Sequence, residues 1–388
     1  MIRTFKYKVK TDKQTEINAN EWLELCRQLY NLALEQKRDY WNCRKQYLRY
    51  YQQGPDLVEL KKEFIQFKKI NAQTLGYVLI KLDQAYNTFF SNLKKKNGRA
   101  GLPRFKSKKR YNSFTLDQNG WELKNNILTI FKVGNFKLKL SRPIEGKIKT
   151  ITVKRTSLGW FTNFHCEIRK TNRVCKNPTK EVGIDLGITK LLYDSDNNFV
   201  DNPKYYINSQ KQLRRKQRSL TRKIKNSNNY KKQLLIVQKQ FEKIKNQRND
   251  FQHKLSTSYV DKYGKIYVED LNILGMIQNH NLSKHISDSS WGTFINKLFY
   301  KVEETGGKLI KVDPRYTSQT CSNCGYIDKN NRLTQSEFKC LICNHTENAD
   351  YNASKNILRL GQDHITKLSS IEQECYKTSG ILEGVNKH

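Results

Sequence analysis

Hydrophobic and basic residues alternate from Arg3 to Lys10, placing Phe5, Tyr7 and Val9 on one face and Lys6, Lys8 and Lys10 on the other. A period of two predicts a half-buried strand. From Thr15 to about Trp41 the spacing lengthens: Leu25, Leu29 and Leu32 recur one helical turn apart. Gly54-Pro55 interrupts that pattern before a second helix through Leu57, Leu60, Phe64 and Phe67. A third helix, from about Ala72 to Leu93, carries Leu75, Leu79, Leu82, Tyr86 and Phe89 as its apolar stripe. Core packing accounts for these stripes, and the lysine-bearing faces opposite are where nucleic acid would touch. Lys94 to Lys109 reads as a basic loop or linker broken by glycines and a proline. Short alternating runs follow at Leu128–Phe131, Phe136–Leu140, Ile148–Val153 and Trp160–Ile168, predicting a small β-barrel or folded-over sheet. If the first strand pairs into it, the intervening helices are an insertion in a β domain.

The pattern changes at Glu181. EVGIDLGITKLLYD reads as a buried strand ending in Asp185, a glycine turn at Gly187 and a second strand through Leu191 to Tyr193, with a third beginning near Phe199. Two long basic helices are predicted between Ser209 and Tyr259. Leu213, Leu220 and Ile224 line the first, and Leu235, Phe241, Ile244, Phe251 and Leu255 the second. KIYVEDL is a strand that ends in Glu269 and Asp270; a helix (Trp291 to Glu304), a Gly306-Gly307 turn and the strand KLIKVD complete the run. Three strands followed by helix, strand, helix, strand and helix, with acids at strand ends, is the order of an RNase H-like sheet. The fold class is therefore α+β and multidomain.

Composition narrows the partners. The chain has 388 residues, enough for two to four domains, with 72 Lys and Arg against 36 Asp and Glu, a formal net charge of +36. So large a charge calls for a polyanion, and nucleic acid is favoured, with tyrosines and phenylalanines among the lysines as stacking faces. A membrane is disfavoured: no stretch has a spanning length and no signal peptide opens the chain. There is no internal repeat and no Walker-type phosphate loop, since Gly307-Lys308 lacks both the upstream glycine and the following Ser or Thr. Cys26, Cys43, Cys166, Cys175 and Cys375 are scattered and odd in number, as reduced thiols of a cytosolic protein are.

The other four cysteines are paired. Cys321 and Cys324 form one CxxC and Cys340 and Cys343 another, a spacing that lets four thiolates converge on one structural Zn²⁺. His345 beside them reads as a solvated polar residue, not a fifth donor. Asp350 follows the second pair at a helix start. Asp185, Glu269 and Asp350 thus supply three hard oxygen donors from three elements, a set suited to two Mg²⁺ ions acting on a phosphodiester. Their order, Asp–Glu–Asp, is that of RuvC nucleases and not of DDE transposases.

GIDLGI, YVEDLNI, RYTSQTCSNCG and ADYNASKNI together resemble the TnpB family, transposon-encoded RNA-guided DNA endonucleases ancestral to type V CRISPR effectors; AYNTFF, GLPRFKSKKRYNSFT, NPKYY and RNDFQHKLST extend the likeness over most of the chain. The resemblance implies a wedge β-barrel domain at residues 1–12 and 106–178, with a helical recognition insertion at 13–105. It further implies a RuvC nuclease domain at 179–315 and 347–365, a zinc-bearing target-binding module at 316–346, and a C-terminal tail at 366–388. It implies catalytic and Mg²⁺-binding roles for Asp185, Glu269 and Asp350, and Zn²⁺ on Cys321, Cys324, Cys340 and Cys343. The partners implied are one guide RNA per monomer and target double-stranded DNA beside a short adjacent motif, read by the helix from Ala72, in a bacterial cytoplasm at the nucleoid. Two rivals share the fold: a compact CRISPR effector using an array-derived guide, and an RNA-guided repressor without cleavage. A strand-joining transposase is disfavoured by the acid order.

Overall fold

The computed structural model describes residues 2–95, 100–168 and 174–382, in two compact units, Met1–Lys170 and Thr171–His388. In the first unit, β1 (Ile2–Thr11) has the predicted alternation, with Phe5, Tyr7 and Val9 at most 4% exposed. It is the fourth strand of a seven-stranded antiparallel sheet ordered β2-β6-β7-β1-β5-β4-β3. The others are β2 (Ser113–Leu116), β3 (Trp121–Lys124), β4 (Ile127–Ile130), β5 (Gly134–Lys139), β6 (Lys147–Thr156) and β7 (Gly159–Glu167). Sequence reasoning missed β2 and β3. Each is four residues long, too short to show a period, and β2 buries Phe114, Thr115 and Leu116 in succession.

The helices α1 (Lys13–Arg44), α2 (Gly54–Glu63) and α3 (Ala72–Lys94) lie between β1 and β2 in the chain. Asp12 caps α1 by accepting from the Thr15 amide at 2.7 Å, and Asn71 caps α3 through the Gln73 amide at 3.1 Å. Leu75, Leu79, Leu82 and Tyr86 are buried along α3 as the spacing predicts. Three details differ. Leu32 of α1 is exposed. Gly54-Pro55 opens α2, because proline suits the first helical turn, where its missing N–H is not needed. The helix also stops at Glu63, and a 3₁₀ turn, Ile65–Lys69, buries Phe67 but leaves Phe64 exposed. The basic run at 94–109 is more than a spacer where it is described. Lys106 pairs through its backbone with Asn31, and the Arg38 guanidinium donates to the Pro103 carbonyl and lies over Phe105. Residues 96–99 of that run lie outside the described residues.

The second unit is built on a five-stranded sheet ordered β10-β9-β8-β11-β12. Its strands are β8 (Glu181–Leu186), β9 (Lys190–Asp194), β10 (Phe199–Asp201), β11 (Lys265–Glu269) and β12 (Lys308–Val312). The first three run antiparallel, and β11 pairs in parallel with both β8 and β12. This is the predicted RNase H-like order. Between β10 and β11 come α4 (Tyr205–Thr221) and α5 (Asn228–Lys262); between β11 and β12 come α6 (Ile273–Met276), α7 (Ser283–Ser289) and α8 (Trp291–Thr305). The stripe expected on α5 holds in part: Ile244 is buried and Phe251 and Leu255 pack partly against the core, but Leu235 and Phe241 are exposed, and Val237, Gln240, Gln252 and Val260 are buried besides. The aromatic body of Tyr259 and the polar Gln252 do part of the work assigned to aliphatic residues, Gln252 donating to the carbonyls of Ser289 and Ser290. Ile224 falls beyond the end of α4 and is exposed.

After β12 a small ribbon contains β13 (Glu337–Lys339) paired with β14 (Thr346–Asn348), and then α9 (Ala349–Leu382) returns across the sheet. The helix continues well past residue 365, where a tail was expected; residues 383–388 and the side chain of Cys375 lie outside those described. Among the described residues no helix is long and apolar enough to cross a membrane. What seats α9 is the absence of two side chains. A Cβ on Gly183 of β8 would collide with the Ser354 carbonyl and come within 2.6 Å of the Leu358 amide, and one on Gly361 of α9 would enter the Tyr267 ring of β11. Gly183→Ala should therefore push the helix off the strand. Overpacking against backbone of this kind costs about 1–3 kcal/mol, so thermal unfolding should begin about 2–10 °C lower. A variant that melts with the wild type would contradict this contact.

Candidate active site and zinc ribbon

Strand register brings the first two acids together. Ile184 pairs with Val268 across the parallel β8–β11 ladder, so Asp185 and Glu269 are next in line at the same edge of the sheet. The third acid comes from α9. Asn348 accepts from the amides of Asp350 and Tyr351, fixing the first turn of the helix, and the close seating at Gly183 lowers that turn toward β8.

The electrostatics of the three are those of one site. Burial, then the charges of Glu269 and Asp350, push the Asp185 carboxyl well above its ordinary value, with the Arg332 guanidinium opposing. Burial likewise raises Glu269 and Asp350. Each has one polar partner that favours its ionised form: Thr317 donates to Glu269 Oε1 at 2.6 Å, and Arg332 Nη2 sits 3.2 Å from Asp350 Oδ1. Neither Thr317 nor Arg332 was singled out from sequence. Thr317 lies inside the RYTSQ run and Arg332 in a polar spacer, and neither stretch has a periodicity that marks one residue above its neighbours. Asp270, one residue beyond Glu269, faces away, exposed and paired with Lys311 at 2.8 Å.

This donor set fits divalent cations of the hard type. Three carboxylates are held in mutual repulsion with a single guanidinium among them, and a hard cation is the group that would relieve it. The three oxygens are not gathered as tightly as the four sulfurs below; among the described residues only the cysteines form a compact set of candidate ligands.

The ribbon brings Cys321, Cys324, Cys340 and Cys343 together with all four sulfurs within 4.8 Å of one another. Sγ–Sγ distances of 3.6 Å (Cys321–Cys343) and 3.5 Å (Cys324–Cys340) are far from a disulfide bond. They approach the edge of a tetrahedron with Zn–S arms of about 2.3 Å. The His345 amide directed at its sulfur holds the Cys343 thiol down to about 6, which favours the thiolate a metal needs. His345 itself is engaged with Glu347 at 3.0 Å.

A second charged surface lies on α4 and the residues just after it. Lys211, Arg214, Arg215, Arg218, Arg222 and Lys223 line one open groove. No carboxylate among the described residues pairs with any of them.

Residues 163–280 match the OrfB_IS605 family, described as "Probable transposase"; 291–357 match a family described as "Cas12f1-like, TNB domain", and 1–46 one described as "Helix-turn-helix domain". Within that span the described residues form β1 and the long helix α1. A relative from Escherichia coli (strain K12), named "Putative RNA-guided DNA endonuclease InsQ", is 31% identical over 378 residues, 93% of this chain and 92% of its own. The CRISPR-associated endodeoxyribonuclease Cas12f1 of Sulfoacidibacillus thermotolerans is 33% identical over 216 residues, 51% of this chain and 49% of its own. Among solved structures, the mini-RNA-guided endonuclease CRISPR-Cas_phi3 shares the fold, with a TM-score of 0.51 at 10% identity, over 93% of this chain and 92% of that one.

Two outcomes follow from the geometry. Metal analysis of the purified protein should find about one zinc per chain, and Cys321→Ser should lose it; a zinc-free wild type would contradict the ribbon. The raised carboxyl of Asp185 has its own sign. Because its folded pKa lies above its unfolded one, the folded state binds the extra proton, and stability falls as pH rises through that range. Asp185→Asn should therefore raise the melting temperature at neutral pH in Mg²⁺-free buffer that retains zinc, by about 2–4 °C for each kcal/mol relieved. An unchanged or lower value would show that the repulsion is not felt.

Proposed function

This chain belongs to the TnpB family of transposon-encoded RNA-guided DNA endonucleases, and we propose that Asp185, Glu269 and Asp350 form its RuvC-type hydrolytic site. The observation that carries the assignment is that the β8–β11 register sets Asp185 and Glu269 side by side and that the charges of Glu269 and of Asp350 from α9 both bear on Asp185. These residues would hold two Mg²⁺ ions, which supply Lewis-acid stabilisation of charge on the phosphodiester and a nucleophilic water at neutral pH. The chain's own groups do the rest. Burial keeps the carboxylates in fixed positions, Thr317 orients Glu269, and Arg332 places a permanent cation beside the acids, where a phosphate would enter.

The guide RNA delegates sequence reading to base pairing, so the protein needs mainly to hold backbones. The net charge of +36 and the cations lining the α4 groove suit that task, and the four cysteines would hold one structural Zn²⁺ that organises the target-binding ribbon. We place the wedge domain at 1–12 and 106–178, the recognition helices at 13–105, the nuclease at 179–315 and 347–365, and the ribbon at 316–346, in a monomer on one RNA. A guide taken from a CRISPR array is the second reading, favoured by the likeness to Cas12f1. That likeness spans about half of each chain, whereas the likeness to InsQ spans nearly all of both, so a transposon-end guide is preferred. Sequencing the RNA that co-purifies separates the two.

Asp185→Ala should bind a matched target as the wild type does, in a gel-shift assay with the co-purified RNA, and leave it uncut. Glu269→Ala and Asp350→Ala should behave alike, and a double variant should be no worse than either single one. Asp270→Ala should retain substantial cleavage. Cutting by Asp185→Ala in Mg²⁺, with loss in Asp270→Ala, would mean the acids are misassigned.

A further inference from the structure

The ribbon touches the acids at a point its zinc does not explain. Thr317, four residues before the first cysteine, is buried, and its hydroxyl is within reach of two acceptors: Glu269 Oε1 at 2.6 Å and the Pro314 carbonyl at 3.1 Å. A hydroxyl has one proton to donate. The shorter distance and the negative charge both direct it to the carboxylate. Among the described residues no other hydrogen-bond donor reaches the Glu269 side chain.

Thr317 is itself held from behind. Asn356 of α9 donates to the carbonyls of Thr317 at 2.9 Å and Thr320 at 2.7 Å. One turn earlier, Asn352 donates to the Thr320 carbonyl at 2.7 Å and accepts from the Ser322 amide at 2.8 Å. Both asparagines are at most 1% exposed. Asparagine is a poor helix former, and a buried amide is costly unless bonded, so two of them a turn apart are best accounted for by the backbone they grip. Residues 317–322 are thereby clamped to the helix that carries Asp350, and the clamp ends on the side chain of Glu269.

We propose that Thr317 is a positioning residue for Glu269, held by Asn352 and Asn356, so that the segment leading into the ribbon sets the orientation of one catalytic acid. This rests on the assignment of Glu269 to the hydrolytic site. A glutamate has three side-chain torsions, and a single hydrogen bond at 2.6 Å selects one arrangement before the metal arrives. The ribbon then serves the chemistry as well as the grip on target.

The test compares Thr317→Val, which keeps the shape and removes the hydroxyl, with Thr317→Ser, which keeps the hydroxyl. Both are purified with their RNA alongside the wild type and Glu269→Ala. Four quantities are read: zinc content, target binding, single-turnover cleavage rate, and Mn²⁺ affinity from the loss of the free-ion paramagnetic resonance signal. Thr317→Val should retain zinc and target binding, while its cleavage rate and Mn²⁺ affinity fall by about 10–100-fold, the range for losing a partner of a metal ligand. Thr317→Ser should restore both. Wild-type cleavage and Mn²⁺ affinity in Thr317→Val, with Glu269→Ala inactive, would overturn the inference and leave the acid assignment standing. Loss of zinc or target binding in Thr317→Val, or failure of Thr317→Ser to recover the cleavage rate and Mn²⁺ affinity, would overturn the inference in favour of a structural role. Cleavage by Glu269→Ala would instead remove the assignment on which it rests.

Discussion

The close seating of α9 on β8 and β11 is the contact on which the second unit depends. Helix backbone meets strand backbone at Gly183, and an aromatic ring fills the space left by Gly361. Side chains at either position would lift the helix, and with it Asp350, away from the sheet edge where Asp185 and Glu269 lie. The same seating brings Asn352 and Asn356 against residues 317–322 and so anchors the ribbon. One close approach thus places the third acid and docks the four-cysteine ribbon together. Glycine is needed for space here, since neither residue has the positive φ that marks a turn.

Against that organisation works the repulsion among the acids. A stable protein without a function at this place would not gather one buried and two half-buried carboxylates beside one arginine; the sheet register and the helix seating hold them there. Elsewhere in the same unit buried charge is treated differently. Asp194 accepts from two backbone amides, from Asn198 and from the Tyr259 hydroxyl, and Asp288 accepts from the amides that open α4. Those carboxylates are satisfied by the protein and have little left to offer a ligand. Asp185, Glu269 and Asp350 keep most of their oxygen lone pairs free, which separates a candidate metal site from a structural buried acid.

The ribbon follows the opposite logic, since its four sulfurs gather closely and the fold around them is slight. Phe338 and Ala349 are the other buried apolar residues of its core. So small a core cannot hold residues 316–346 in shape by apolar burial alone, and cross-linking through a metal fits that shortage. The asparagine clamp and Arg332 then tie the ribbon to the rest of the unit through polar contacts that have a direction, and orienting an acid needs direction.

Much of this was legible in the residues. The alternation in β1, the stripe of α3, the strand-end acids and the two CxxC pairs are local patterns, and each reports the environment its own segment requires. Short strands such as β2 and β3 were not legible, because four residues carry too little periodicity. The stripe of α5 was legible only in part, at Ile244, Phe251 and Leu255, because a long helix can also bury glutamine and tyrosine when a neighbouring carbonyl or carboxylate receives their polar atoms, and a hydropathy pattern does not show that neighbour. The sequence by itself determined the order of the main elements, which acids stand at strand ends and the helix start, and the cysteine set, since these depend on residue type and spacing. Tertiary structure alone decided that Thr317 faces Glu269 and that Arg332 faces Asp350, because those partners lie 48 and 18 residues apart and meet only after the sheet, the ribbon and α9 have packed.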